Sequence, residues 1–154
     1  MSNKIVVTSR RSFMIASGGA AAALAFLPTL GQAADNNWAE VMESLVGTSS
    51  PAEGRVSLSM PEIAENGNVV PFDVSVDSPM TADDHVSEIH VLAGGNPTPL
   101  VNSNFLTAAL GKAALSSRMR LGSTQDIYAV AKMSNGDVYG TKVQVKVTIG
   151  GCGG

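Results

Sequence analysis

Between Arg55 and Ile149 apolar residues return at every second position, and that period fits half-buried strands rather than helices. Val56, Leu58 and Met60 alternate with Arg55, Ser57 and Ser59. Val70, Phe72, Val74 and Val76 follow, with Pro71 pushing their strand towards an edge or a bulge because it lacks an amide donor. Within 86–93, Ile89, Val91 and Ala93 oppose Glu88 and His90. A short strand is expected over Val101 to Thr107, anchored by Phe105. Ala113, Leu115, Ser117, Met119 and Leu121 then oppose Lys112, Ser116, Arg118 and Arg120. Asp126 to Met133 and Val138 to Ile149 read as a hairpin across Ser134-Asn135-Gly136-Asp137, where Asn-Gly is a strong turn signal. In its last strand Val143, Val145, Val147 and Ile149 face one way and Lys142, Gln144, Lys146 and Thr148 the other. A slip of one residue would expose every branched apolar side chain.

About seven short strands broken by frequent turns predict a mostly β fold, an antiparallel β-sandwich spanning residues 48–149. The chain has one cysteine, so no disulfide pins the sheets. Only 5% of residues are aromatic against 44% hydrophobic, so the core is aliphatic, and 154 residues suit one domain. Ahead of the sheets, residues 34–47 read as a short helix. Trp38, Val41, Met42, Leu45 and Val46 form an apolar stripe, Asn36 or Asn37 can cap it, and Gly47 can end it. The stripe suits packing on the chain's own domain and docking on a partner equally well.

Residues 1–33 read as an export signal. Lys4, Arg10 and Arg11 form a positive head, and Ala16 to Leu30 is an apolar stretch too short to span a bilayer comfortably. Small residues at Gly31 and Ala33 suit a cut near Ala33. Ser9-Arg10-Arg11-Ser12-Phe13-Met14 resembles a twin-arginine signal, and an ordinary secretory signal is the other reading. Either route exports the chain, and the periplasm is the expected location, with no membrane anchor once the signal is cut. Without those three basic residues, 7 basic side chains face 13 acidic ones, a net charge of −6. That balance argues against nucleic acid or anionic lipid as a partner.

Cys152 stands in the run Gly150-Gly151-Cys152-Gly153-Gly154. Glycine neither shields a sulfur nor fixes its backbone, so 150–154 reads as a flexible arm on a strand-built post. A lone cysteine in an exported protein is an intermolecular partner or a reactive thiol. No Lys, Arg or His adjoins it, and an ordinary thiol near about 8.5 is only a few per cent thiolate at neutral pH. Its activation is therefore expected from a partner's active site. Other chemistry is sparse. His85 and His90 are five residues apart, which places them on opposite faces of a strand, so a metal site is not expected and surface or partner-facing roles are. Asp83-Asp84 reads as a solvated turn. There is no C-x-x-C and no phosphate-cradling glycine loop.

The run Val145-Lys146-Val147-Thr148-Ile149-Gly150-Gly151-Cys152-Gly153-Gly154 resembles the carboxy-terminal arm of the SoxY family, the sulfur-carrier subunits of bacterial thiosulfate oxidation. Further similar stretches are Met60-Pro61-Glu62-Ile63-Ala64-Glu65-Asn66-Gly67, Val70-Pro71, Val76-Asp77-Ser78-Pro79-Met80, Asn96-Pro97 and Arg118-Met119-Arg120-Leu121. The resemblance implies an immunoglobulin-like sandwich and a heterodimer with a SoxZ-like subunit. It implies that Cys152 carries sulfur as an S-thiosulfonate or persulfide, with no cofactor bound by this chain. A c-type haem enzyme would form the adduct, a dimanganese hydrolase would release sulfate, and a molybdenum-haem dehydrogenase would act on the remaining sulfur. Joining thiosulfate to a thiol releases two electrons that nothing in this sequence accepts, so a non-catalytic carrier is expected. A thiol–disulfide relay is the rival reading, although the resolving cysteine it needs is missing. A structural module cross-linked through Cys152 is the other.

Overall fold

The computed structural model describes residues 37–150. They form one helix, α1 (Trp38–Val46), and eight strands: β1 (Val56–Ser59), β2 (Ile63–Ala64), β3 (Val70–Val76), β4 (Val86–Ala93), β5 (Leu100–Phe105), β6 (Ala113–Met119), β7 (Gln125–Met133) and β8 (Val138–Val147). A 3-10 turn at Ala108–Leu110 joins β5 to β6. The strands make two sheets, in the orders β1-β3-β6 and β2-β8-β7-β4-β5. The fold is therefore mostly β, as the alternation predicts. The extra strand is β2, two residues long and too short to show a period. It joins by pairing in parallel with Lys146 and Val147 of β8, whereas every other strand pair is antiparallel.

The two sheets share one aliphatic core. Val70, Phe72, Val74 and Val76 of β3 meet Ile89, Val91, Ile127, Ala129 and Val145 of the larger sheet. Along β3 burial alternates without exception, so Pro71, Asp73 and Ser75 point outwards. Strand β3 lies in the middle of its sheet, which a proline should disfavour. Strand β1, however, reaches only from Val76 to Asp73, so at Pro71 the sole neighbour is Arg118 of β6 and no ladder bond is lost.

Strands β4 and β7 lose the clean alternation because their outer face is covered too. Met42 and Val46 of α1 bury against Leu92 and Val130, and the Trp38 ring stacks on Tyr128 with centroids 4.1 Å apart. The helix therefore folds back on its own domain. Gly47 ends it in the left-handed region, φ 84°, and donates to Glu43 O at 2.8 Å. Asn37 does not cap it through its side chain. Among the described residues, no helix is long and apolar enough to cross a membrane.

The Trp38–Tyr128 stack makes the helix contact measurable. Burial, helped by the Asp126 carboxylate, pushes the Tyr128 phenol above its ordinary 10.0. A raised folded-state value means the folded chain holds this proton more tightly. The contribution to stability is complete below pH 10.0 and is lost as pH climbs through the raised value. Trp38 is the only tryptophan. Its fluorescence should fall in one alkaline step above pH 10.0 as Tyr128 ionises beside it, and Tyr128→Phe should remove that step. A step retained in the variant would disconnect the two rings.

Two expectations fail on strand parity. Asn104 pairs with Ile89, whose side chain is in the core, so Phe105 pairs with Glu88 on the outer face and is 77% exposed. It anchors nothing; Val101 and Leu106 are the side chains here that pack on the core. Strand β8 ends at Val147, two residues early, and Ile149 leaves the apolar row to stand 68% exposed. The cause lies in how the chain is held beyond β8.

Candidate functional site: the root of the cysteine segment

Cys152 is attached to β8 through Thr148, Ile149, Gly150 and Gly151, so whatever fixes those links places the thiol. Two segments grip them. On one side, Thr148 N–H donates to Ala64 O at 3.0 Å and its hydroxyl donates to Glu65 O at 2.8 Å. Gly67 N–H donates to Ile149 O at 2.7 Å, and Gly67 O accepts from Leu121 N–H at 2.8 Å. On the other side, Val147 N–H donates to Thr124 Oγ1 at 3.0 Å. Pulling Thr148 and Ile149 into these bonds ends the pairing with β7 and turns the Ile149 side chain outwards.

Gly150 belongs to this root. A Cβ at position 150 would run into the carbonyl of Gly122. Glycine is required here because two backbones touch, a different reason from the freedom expected of it. The fixed post thus reaches one residue further than the strand pattern predicts.

The 120–125 segment is itself pinned by a buried polar knot. Asn96 and Gln125 are among the few buried polar side chains. Asn96 Nδ2 donates to Arg120 O at 2.7 Å, and Asn96 Oδ1 accepts from Gly122 N–H at 3.2 Å and from Gln125 Nε2 at 2.8 Å. Gln125 Oε1 accepts from Gly95 N–H at 2.6 Å. Each amide spends its polar atoms on backbone or on the other, as burial demands. One chain of contacts therefore runs from Asn96 through Gly122 to Gly150.

Several stretches singled out in the sequence converge here. Met60 to Gly67 supplies β2 and the Gly67 bridge, Asn96 supplies the knot, and Arg118 to Leu121 leads into the segment it holds. Nothing in their spacing announces this, because backbone atoms do the gripping. Asn96 in a Gly-Gly-Asn-Pro turn reads like any turn residue. Arg10, Arg11, Gly151, Cys152, Gly153 and Gly154 lie outside the described residues.

The histidines play another part. His90 is 1% exposed, contrary to a surface role. Its Nε2–H donates to Glu88 Oε2 at 2.9 Å, and its Nδ1 meets the Ser103 hydroxyl at 2.9 Å. Both ring nitrogens are satisfied, and the Phe105 ring stands edge-on to the imidazole. His85 sits at the strand entrance, its Nδ1 bonded to Thr81 O at 3.0 Å. Among the described residues, no group of three or more His, Cys, Asp or Glu side chains could hold a metal ion.

Comparison with known proteins places this geometry in a lineage. The structure of the sulfur carrier protein SoxY from Chlorobium limicola f thiosulfatophilum is similar to it at 27% identity, with a TM-score of 0.58 over 70% of this chain and 89% of that one. A superoxide reductase (neelaredoxin) from Ignicoccus hospitalis shares the fold alone, at 15% identity and TM-score 0.55 over 61% of this chain and 80% of that one. So does a hypothetical protein from Pyrococcus horikoshii OT3, at 17% identity and TM-score 0.52 over 62% and 96%. Among curated proteins, none matches. The family described as sulfur oxidation protein SoxY matches residues 42–152, a span that takes in α1 from Met42, both sheets, the root and the cysteine itself. The chain belongs to the SoxY family.

Proposed function

We propose that this protein is a sulfur carrier of sulfur oxidation and that Cys152 is the atom it carries on. The observation behind this reading is that the family match runs through the root to Cys152 and stops there. Supporting it, hydrogen bonds hold Thr148 and Ile149, Gly150 lies against the Gly122 carbonyl, and Cys152 follows Gly150 by two residues in the sequence.

The chemistry balances as follows. The Cys152 thiol and thiosulfate lose one proton and two electrons together, forming Cys–S–S–SO₃⁻ with a new sulfur–sulfur bond. Water then attacks the sulfonate sulfur, the S–S bond to it breaks, and sulfate leaves with a proton while Cys–S–SH remains. The electrons go to a c-type haem partner enzyme. A dimanganese hydrolase serves the second step, and a molybdenum-haem dehydrogenase can take the persulfide further. The chain itself contributes binding and presentation, with a SoxZ-like subunit beside it in a periplasm reached by the twin-arginine route.

Incubating the purified protein with thiosulfate and a periplasmic extract of its source cells tests this. Intact mass should rise by one S₂O₃ unit, and the gain should map to the peptide holding Cys152. A gain on any other residue, or none, defeats the assignment.

A further inference from the structure

Ser103, His90 and Glu88 form a row of three hydrogen-bonded side chains that sulfur carriage does not use. Ser103 lies directly across from His90 in the pairing of β5 with β4. Glu88 stands on the same face of β4 as His90, two residues before it. A carboxylate only accepts hydrogen bonds, so the proton on the His90 ring sits at Nε2, 2.9 Å from Glu88 Oε2. Nδ1 is left with its lone pair, and the Ser103 hydroxyl, 2.9 Å away, donates to it. The other Glu88 oxygen lies 3.7 Å from Lys132 Nζ. His90 is 1% exposed, so bulk water has little access to either nitrogen, whereas Ser103 is exposed. A hydroxyl bonded to a base that a third group orients is the arrangement that turns serine into a nucleophile.

The backbone adds a second part. Strand β5 is the last of its sheet, so one of its sides has no strand beside it. Leu106 N–H donates to Ser87 O at 2.8 Å, which makes Phe105 and Glu88 a facing pair without bonds between them. Ser103, two residues back, has the same parity. Its N–H therefore points away from β4, to the open edge. That amide can donate to the oxyanion that forms when Oγ attacks a carbonyl carbon. Phe105, 77% exposed and edge-on to the imidazole, stands on the same face and offers an apolar rest beside the hydroxyl.

We propose that Ser103 is a nucleophile, with His90 as its general base and Glu88 as the positioning residue. The substrate class that fits is a small carboxylic ester with an apolar acyl group lying on Phe105. Ser103 Oγ bonds to the carbonyl carbon while its proton passes to His90 Nδ1. The bond from that carbon to the alcohol oxygen breaks, and the alcohol leaves with the proton from Nδ1. Water then attacks the acyl ester on Ser103, giving one proton to Nδ1. That proton returns to Oγ as the acid departs. No electrons enter or leave. The inference makes no use of the thiol, so its failure would leave the carrier reading as it stands.

The test uses the full chain carrying Cys152→Ser, so that no thiol reacts in place of the hydroxyl. The probe is an alkyl fluorophosphonate, which phosphonylates an activated serine and releases fluoride. Intact mass should show one adduct per chain, mapped to Ser103, and Ser103→Ala should show none. His90→Gln should label at least about a hundredfold more slowly, the lower end of what a positioned base contributes. Glu88→Ala, at a less buried position, serves where the first variant fails to fold, and should label about tenfold more slowly or worse. The same chain should hydrolyse p-nitrophenyl butyrate, and Ser103→Ala should return the rate to that of buffer. Absence of an adduct, adducts spread over other serines, equal labelling in Glu88→Ala, or ester hydrolysis that survives Ser103→Ala would each overturn the proposal. The three side chains would then only brace β5 against β4.

Discussion

Cys152→Ser should abolish sulfur loading and every downstream step that depends on it. The substitution exchanges one atom, yet the oxygen cannot form the sulfur–sulfur bond on which the proposed cycle turns. No second cysteine exists to take over. Electron flow from thiosulfate in a reconstituted extract should drop to the level seen with no carrier present. Unfolding free energy should change by no more than about 0.5 kcal/mol. Capping the wild-type thiol with iodoacetamide should have the same functional effect as the substitution. That comparison separates a carrier from a cross-linked structural module, which would keep its role when capped. Residual loading in Cys152→Ser would mean that sulfur travels on another group.

Cys152 stands out in the sequence because its signal is chemical: one thiol, flanked by glycines, beyond a strand with a clear period. The sheets were legible for a similar reason. Alternation in β3 predicts its inward row residue by residue, since one face of that strand is solvent and the other is core. Where both faces are covered, as at Leu92 and Val130 under α1, a period of two no longer reports burial. Phe105 shows the complementary failure: its size suggested an anchor, but the register with β4 decides its face, and no local pattern carries register between distant strands. His90 lies on the face the alternation predicts, yet it is buried, because Ser103 and Phe105 reach it from β5 while Glu88 bonds it from its own strand. The grip on the root was the least legible part. It consists of backbone carbonyls and amides, which every sequence has.

Asn96→Ala tests whether that grip matters beyond stability. The change removes the Asn96 bonds to Arg120 O, Gly122 N–H and Gln125 Nε2, the last of which keeps Ser123 O at 3.1 Å. A buried polar group that loses its partner costs about 1–3 kcal/mol. Water can reach the exposed parts of Arg120 and Gly122, so the sum should settle near 2–4 kcal/mol, seen as a clear fall in melting temperature. Phe72→Ala provides the control. Phe72 is 1% exposed in the core between the sheets, and its truncation should cost about 3–5 kcal/mol. Both variants remain mostly folded at room temperature if the domain has an ordinary stability of about 5–15 kcal/mol. In loading by the extract they should part company. Phe72→Ala should load at nearly the wild-type rate, because it removes no hydrogen bond that holds the root. Asn96→Ala releases the Gly122 backbone on which Gly150 rests, so the last fixed point before the cysteine shifts, and loading should slow several-fold at limiting carrier. Misplacement of a reacting group by even an ångström is enough for such a loss. Equal rates in the two variants would show that the knot serves the fold alone and that the root tolerates displacement.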